Sequence, residues 1–270
     1  MRPAAVYHVA VHVFKESVRD KVLYNLVLFA ALLMASSFLI GQLTAGQDVK
    51  IIKDLGLAAI SIFGLFIAIF IGIGLVSKEV EKRSIYALLA KPLRRQELIA
   101  GKFAGLALTL AINIAIMAAV FFALLAYYGY TEPPQIRRAW EAPAADPALL
   151  VPILLIYLQL LIVNAVALFF STFTSPMLAA AFTLGLWIAG HFSADLKAFD
   201  RMVESESAAA IGRVLYYVLP NVGAFDVKSL VVHGQPVAGG LIAMNALYAA
   251  AYIGILLIAS ALIFARRDFK

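Results

Sequence analysis

Residues 147–194 read PALLVPILLIYLQLLIVNAVALFFSTFTSPMLAAAFTLGLWIAGHFSA, 48 residues without an Asp, Glu, Lys or Arg. As one helix rising about 1.5 Å per residue, this stretch would reach roughly 72 Å. That is more than twice the roughly 30 Å hydrocarbon core of a bilayer, so the stretch must fold back on itself. The place for the turn is Ser171-Thr172-Phe173-Thr174-Ser175-Pro176, where hydroxyl side chains and a proline interrupt helical hydrogen bonding. Two membrane-crossing helices follow, at about 148–170 and 177–192.

Outward from this pair, further charge-free runs cover Val22–Gln47, Leu55–Ser77, Phe103–Thr131 and Ser229–Ala265. Each is long enough to hold the roughly 20 residues of a crossing, which places spans at about 22–43, 55–76, 103–128 and 238–264. The bulk composition agrees. Of 270 residues 63% are hydrophobic and 14% charged, and the mean hydropathy is +0.93. A soluble domain carries roughly a quarter charged residues, so this chain could not cover a water-facing surface. The expected fold class is an all-α polytopic membrane protein, one transmembrane domain over 1–270 with six helices. A cytosolic enzyme, a disordered region and a secreted scaffold are excluded. With no cysteine there is no disulfide framework and no thiolate nucleophile.

Six crossings put both ends on one side, and the basic residues say which. The amino-terminal segment, the stretch 77–102 and the tail together hold fourteen Lys and Arg against six Asp and Glu. The remaining loops hold eight basic and ten acidic residues. One side is +8 and the other −2, so the positive-inside rule places both termini in the cytoplasm. The net charge of +6 is thereby a topological signal, and no nucleic-acid partner is expected. The partner along most of the chain is the lipid bilayer.

Residues 1–21 precede the first span. Val6, Val9, Ala10, Val13 and Phe14 share one helical face, with His8, His12, Lys15, Glu16 and Arg19 opposite. This predicts an amphipathic interfacial helix on the cytoplasmic membrane surface. The first apolar run is longer than a signal-peptide core and lacks a cleavage site, so it is read as a retained span. The extracytoplasmic segment 193–237 repeats Ile211, Val214, Leu215 and Val218 at helical spacing and meets Pro220. It is either an ordinary surface helix or one that dips into the membrane.

No span contains an ionisable Asp, Glu, Lys or Arg. Such residues mark proton and ion relays in membranes, and their absence weighs against a gradient-driven carrier. The polar residues inside the spans are Asn113, Gln159, Asn164, Thr183, His191 and Asn245. They either hydrogen-bond between helices or, for Asn113, Gln159, Asn164 and Asn245, line a substrate path. His8 and His12 have the i, i+4 spacing of a chelating pair, but no third ligand accompanies them and both fit the polar face of a surface helix. No catalytic, metal or cofactor site is expected. The phosphate-cradling pattern G-x-x-x-x-G-K-[ST] is absent, so ATP and Mg would belong to a partner ATPase and the chain itself is not an enzyme.

The stretch 77–102 reads SKEVEKRSIYALLAKPLRRQELIAGK, with seven basic and three acidic residues. Helix formers and a Glu79–Arg83 pair at i, i+4 precede Pro92, and Pro92 suits the first turn of a second helix. The expected form is a helix–break–helix elbow with an apolar ridge at Ile85, Leu88 and Leu89. An elbow of this kind can be gripped by a soluble partner.

The run Glu79-Val80-Glu81-Lys82-Arg83-Ser84, then Leu88-Leu89-Ala90-Lys91-Pro92-Leu93-Arg94-Arg95, Glu97 and Gly101-Lys102-Phe103 resembles the permease subunits of ABC-2 type transporters. Ser84 stands where threonine is more usual. The six-span layout and Leu215-Tyr216-Tyr217-Val218-Leu219-Pro220-Asn221 extend the likeness, the latter toward the branch named for multi-copper enzyme maturation and nitrous-oxide reductase assembly. The resemblance implies an exporter permease working as a homodimer or heterodimer with a second permease chain. It further implies two copies of a separate ABC ATP-binding subunit beneath it. The elbow 77–102 would be the coupling helix, with Glu79, Glu81, Arg83, Ser84, Pro92, Arg95 and Glu97 supplying charge-paired docking and a rigid bend. The turn at Ser171–Pro176 would face the same partner. Two rivals remain at this point: an ion-gradient-driven carrier, and a non-transporting membrane assembly subunit.

Overall fold

The computed structural model describes residues 2–41, 48–81, 95–193, 216 and 218–266. In chain order its helices are α1 (Pro3–Val18), α2 (Lys21–Gly41), α3 (Asp48–Glu81), α4 (Arg95–Thr131), a short α5 (Pro134–Arg138), α6 (Leu150–Ser171), α7 (Pro176–His191), a short α8 (Lys228–Val232) and α9 (Gly239–Arg266). Single 3-10 turns lie at Pro147–Leu149 and Gly223–Phe225. The described residues contain no strand. Lipid offers no hydrogen bonds, so a spanning segment must satisfy its own backbone, as a helix does. The long helices α2, α3, α4, α6 with its leading 3-10 turn, and α9 are each long and apolar enough to cross a membrane. The apolar α7 has 16 residues. The protein is an all-α polytopic membrane protein.

The fold-back occurs where the hydroxyl residues and proline place it. Helix α6 ends at Ser171 and α7 begins at Pro176, which occupies the first helical turn. The last carbonyls of a helix have no partners within it, and here the turn supplies them. The hydroxyls of Ser171, Thr172 and Thr174 donate to the carbonyls of Leu168, Phe169 and Phe170 at 2.7, 2.7 and 2.8 Å.

Two helices outrun a bilayer. Helix α3 has 34 residues and α4 has 37, roughly 51 and 55 Å of helix. Helix α3 begins at Asp48, well before Leu55, because its first turns are held by an outer layer of polar contacts. Lys50 Nζ bonds Glu141 Oε1 at 2.8 Å, and the Tyr128 hydroxyl donates to Asp48 Oδ2 at 3.1 Å. The Tyr128 ring stacks on Trp140 with centroids 5.7 Å apart.

Burial sets the order of the bundle. The spanning windows of α3 and α6 are 72% and 67% buried, against 24% for α2 and 28% for α9. Helices α3 and α6 therefore form the centre, with α2 and α9 on the periphery. Small residues let helix backbones approach closely in lipid, and α3 carries Gly56, Gly64 and Gly72 at intervals of eight. A Cβ at Gly56 would overlap the Phe121 ring of α4. One at Gly64 would lie 2.5 Å from Leu160 Cδ1, and one at Gly72 2.6 Å from Ala167 Cβ, both on α6.

The two ends of the bundle are distinct. Leu98, Ile99, Leu168 and Phe264 cluster with Val9 and Phe103 at the end that holds α1 and the tail-proximal part of α9. At the opposite end lie the start of α3, the Tyr128–Trp140 stack and the loop around Asn221. Helix α7 runs from the first end to the second, where Gly190 meets Pro220 and Val222. The first end is the one expected to face the cytoplasm, and the second the one expected to face outward. Residues 82–94 of the expected elbow, Ile211, Val214 and Leu215 of the expected outer helix, and the tail at 267–270 lie outside the described residues.

Candidate coupling site and intramembrane polar residues

At the inner end, Glu79 and Glu81 lie on the last turns of α3 and Arg95 opens α4. Arg83, Ser84 and Pro92 lie outside the described residues. Glu97 stands apart from the rest. It occupies the first turn of α4 and is fully buried, at 0% exposure. Its Oε1 accepts a hydrogen bond from the backbone N–H of Arg2 at 2.7 Å. A carboxylate buried in this way is occupied within the chain.

What covers Glu97 is α1. Helix α1 shows the expected amphipathic pattern: Val13 is buried, Val6, Val9, Ala10 and Phe14 are partly buried, and His8, His12, Lys15, Glu16 and Arg19 are exposed. The apolar face has a protein partner, the head of α4. A Cβ at Gly101 would stand 2.6 Å from Val9 Cβ, and one at Gly105 would stand 2.6 Å from the Ala10 carbonyl oxygen and 2.7 Å from Val13 Cβ. Contacts advance together along both helices, so α1 and the head of α4 run side by side in the same direction. Sequence reasoning used Gly101-Lys102-Phe103 as a motif and missed the seat. The signal was Gly101-x-x-x-Gly105, a spacing that invites a close helix neighbour.

The turn after α6 supplies a second inner feature. The rings of Phe169, Phe170 and Phe173 lie 5.2 to 5.9 Å apart, and Phe173 is 42% exposed. The cluster stiffens the turn and leaves one aromatic face open.

The four candidate path residues are all buried, but their surroundings differ. Asn113 donates from Nδ2 to the Thr109 carbonyl on its own helix at 2.8 Å. Asn245 donates to the Ala224 carbonyl of the outer turn at 2.9 Å. Gln159 is buried on α6. Asn164 is completely buried, yet neither Nδ2 nor Oδ1 has a hydrogen-bond partner among the described residues. Of the other polar residues, the Thr183 hydroxyl donates to the Ala179 carbonyl at 2.6 Å and His191 Nδ1 pairs with the Trp187 carbonyl at 3.2 Å. Among the described residues, no group of three His, Asp or Glu could hold a metal ion.

At the outer end Asn221 joins three elements. Its N–H donates to the Tyr248 hydroxyl of α9 at 2.9 Å. Its Oδ1 accepts from the Ser193 hydroxyl after α7 at 3.1 Å and from the Ala224 N–H at 3.3 Å. Opposite, the hydrogen bond from Lys50 holds the Glu141 carboxyl below the usual carboxylate range, assisted by the charges of Lys50 and His233. Lys53, three residues further into α3, is buried.

The family model described as "ABC-2 family transporter protein" matches residues 7–269. No curated protein matches the chain.

Proposed function

Because the chain belongs to the ABC-2 family of transporter proteins, as a multi-pass permease subunit of an ABC transporter, we propose that it is the membrane half of an ATP-driven exporter. A family match over nearly the whole chain is the observation that carries this. ABC-2 permeases work with an ATP-binding subunit. Here two copies of that subunit would sit beneath two permease chains in a bacterial or archaeal cytoplasmic membrane, with both permease termini cytoplasmic. ATP and Mg would be held by those subunits.

The segment 77–102 would be the coupling element. The placement of α1, the α6–α7 turn and the tail-proximal end of α9 at the same end as Arg95 supports an inner surface on which a soluble subunit can sit. Glu79, Glu81, Arg83, Ser84 and Arg95 would pair with charges and polar groups on the ATPase, and Pro92 would keep the bend rigid. Closure of the ATPase pair would push the segment and tilt α3 and α4, which flank it in sequence. The substrate path would open between the two permease chains, with Asn113, Gln159, Asn164 and Asn245 contributing polar groups as helices separate. The exposed Phe173 would add an apolar contact to the same subunit.

Co-purification tests this directly. A tagged chain should bring down an ATP-binding protein and alter its rate of hydrolysis. Recovery of the permease without such a protein, while transport continues in ATP-depleted vesicles and collapses with an ion gradient, would instead favour a gradient-driven carrier.

A further inference from the structure

We propose that Glu97 is a positioning residue that clasps α1 to the head of α4, so that the first and third crossings move as one when the coupling segment is pushed. The clasp stands on the structure alone, and its use in coupling rests on the function proposed above.

Three residues of α4 spaced by four, Glu97, Gly101 and Gly105, lie on one helix face, and α1 covers all three. Two of them have no side chain, which lets α1 approach to the distances given for Val9, Ala10 and Val13. The third is an acid buried to 0% exposure, placed where α1 begins. Arg2 is the N-cap of α1, and no side chain of its own turn caps the helix. In a capping box, a Glu in the first turn reaches back to the N-cap backbone N–H. Here Glu97 of another helix makes that bond, at 2.7 Å. The carboxyl also lies at the positive end of the α1 dipole, where an anionic group is favoured. The bond crosses 95 residues of sequence, so it fixes tertiary placement.

The mechanical consequence follows from connectivity. Helix α1 ends at Val18 and α2 begins at Lys21, leaving no slack between them. Helix α4 begins at Arg95, within the coupling segment 77–102. A displacement of the head of α4 therefore carries α1, and α1 carries the start of α2. Without the clasp, α1 would be free to stay at the membrane surface while α4 moved.

The chain contains no cysteine, so a single Val13→Cys on the seat reports docking through its rate of maleimide labelling in membranes. Val13 is 2% exposed, and labelling should be slow. Adding Glu97→Ala removes a charge-assisted bond, and labelling should quicken by roughly tenfold or more. Glu97→Gln keeps an acceptor oxygen and should restore most of the protection. Gly101→Leu wedges the helices apart without touching the carboxylate and should also expose the reporter. For coupling, Glu97→Ala should still co-purify with the ATPase subunit but lose the permease-dependent change in hydrolysis, while Glu97→Gln retains it. Slow labelling in both Glu97→Ala and Gly101→Leu overturns the clasp. Fast labelling with unchanged hydrolysis keeps the clasp and overturns its part in coupling. If the native chain captures no ATPase subunit, the proposed function fails while the labelling still judges the clasp.

Discussion

Asn164 of α6 faces Gly72 of α3 at the centre of the bundle, where a Cβ on the glycine would stand 3.1 Å from the amide oxygen. The amide is fully buried and neither of its polar atoms has a hydrogen-bond partner among the described residues. A buried polar group without a partner costs about 1–3 kcal/mol. Leucine has the same number and branching of side-chain heavy atoms and no such group. Asn164→Leu should therefore leave the melting temperature in detergent unchanged or raised. Because the amide is proposed to find its partner only as helices separate, the permease-dependent part of ATP hydrolysis should fall in the same variant. Unchanged hydrolysis would remove Asn164 from the path.

Gly72→Ala tests the central helix contact. The added methyl would meet Ala167 Cβ at 2.6 Å, too close for two carbons, so α3 and α6 must separate. Overpacking of this kind costs about 1–3 kcal/mol, seen as a lower thermal midpoint. Gly56→Ala should behave likewise against Phe121, and Phe121→Leu should recover part of that loss because the two residues share one contact. Strictly additive losses would mean that the glycine is not there to admit the ring.

Five long apolar helices and the shorter apolar α7, the turn at 171–176 and the amphipathic face of α1 were legible in the sequence, because each is written in local periodicity and turn chemistry. The start of α3 was not. Asp48, Lys50, Lys53 and Asp54 look like a loop, whereas contacts from Tyr128 and Glu141, far along the chain, help hold the first two on a helix. The burial of Glu97 was not legible for a related reason. Glu97 sits in a run of basic and acidic residues that reads as one solvated docking surface, whereas it accepts a bond from Arg2, which no local pattern connects to it. The spacing of Gly56, Gly64 and Gly72 was visible, but what each admits is a matter of tertiary packing.

Tyr248→Phe removes the acceptor of the Asn221 N–H, a bond of 2.9 Å. The loss should be about 1–2 kcal/mol, with faster hydrogen exchange at the Asn221 amide and little change at the inner end. Protection that survives the substitution would show that the other contacts of the outer loop hold Asn221 without Tyr248.

The Lys50–Glu141 pair predicts a pH dependence at the outer end. The hydrogen bond from Lys50 holds the Glu141 carboxyl below its ordinary value. A lowered folded-state value means that the stabilising contact is fully present above the ordinary glutamate range, roughly 4.3, and is lost as pH falls through the lowered one. Lys50→Ala should return the Glu141 titration midpoint to that ordinary range, measured by side-chain NMR. An unchanged midpoint would show that the contact does not persist in solution.

The central claim is that a separate ATPase drives this permease through the segment 77–102. Since the cargo is unidentified, the direct measurement is ATP hydrolysis by the co-purified complex in lipid, compared between the native chain and the double variant Arg83→Glu with Pro92→Gly. The native permease is expected to change the hydrolysis rate of its ATPase subunit, and the double variant to abolish that change while keeping its own fold. Hydrolysis that responds equally to both permeases would contradict the assignment of 77–102 as the coupling element.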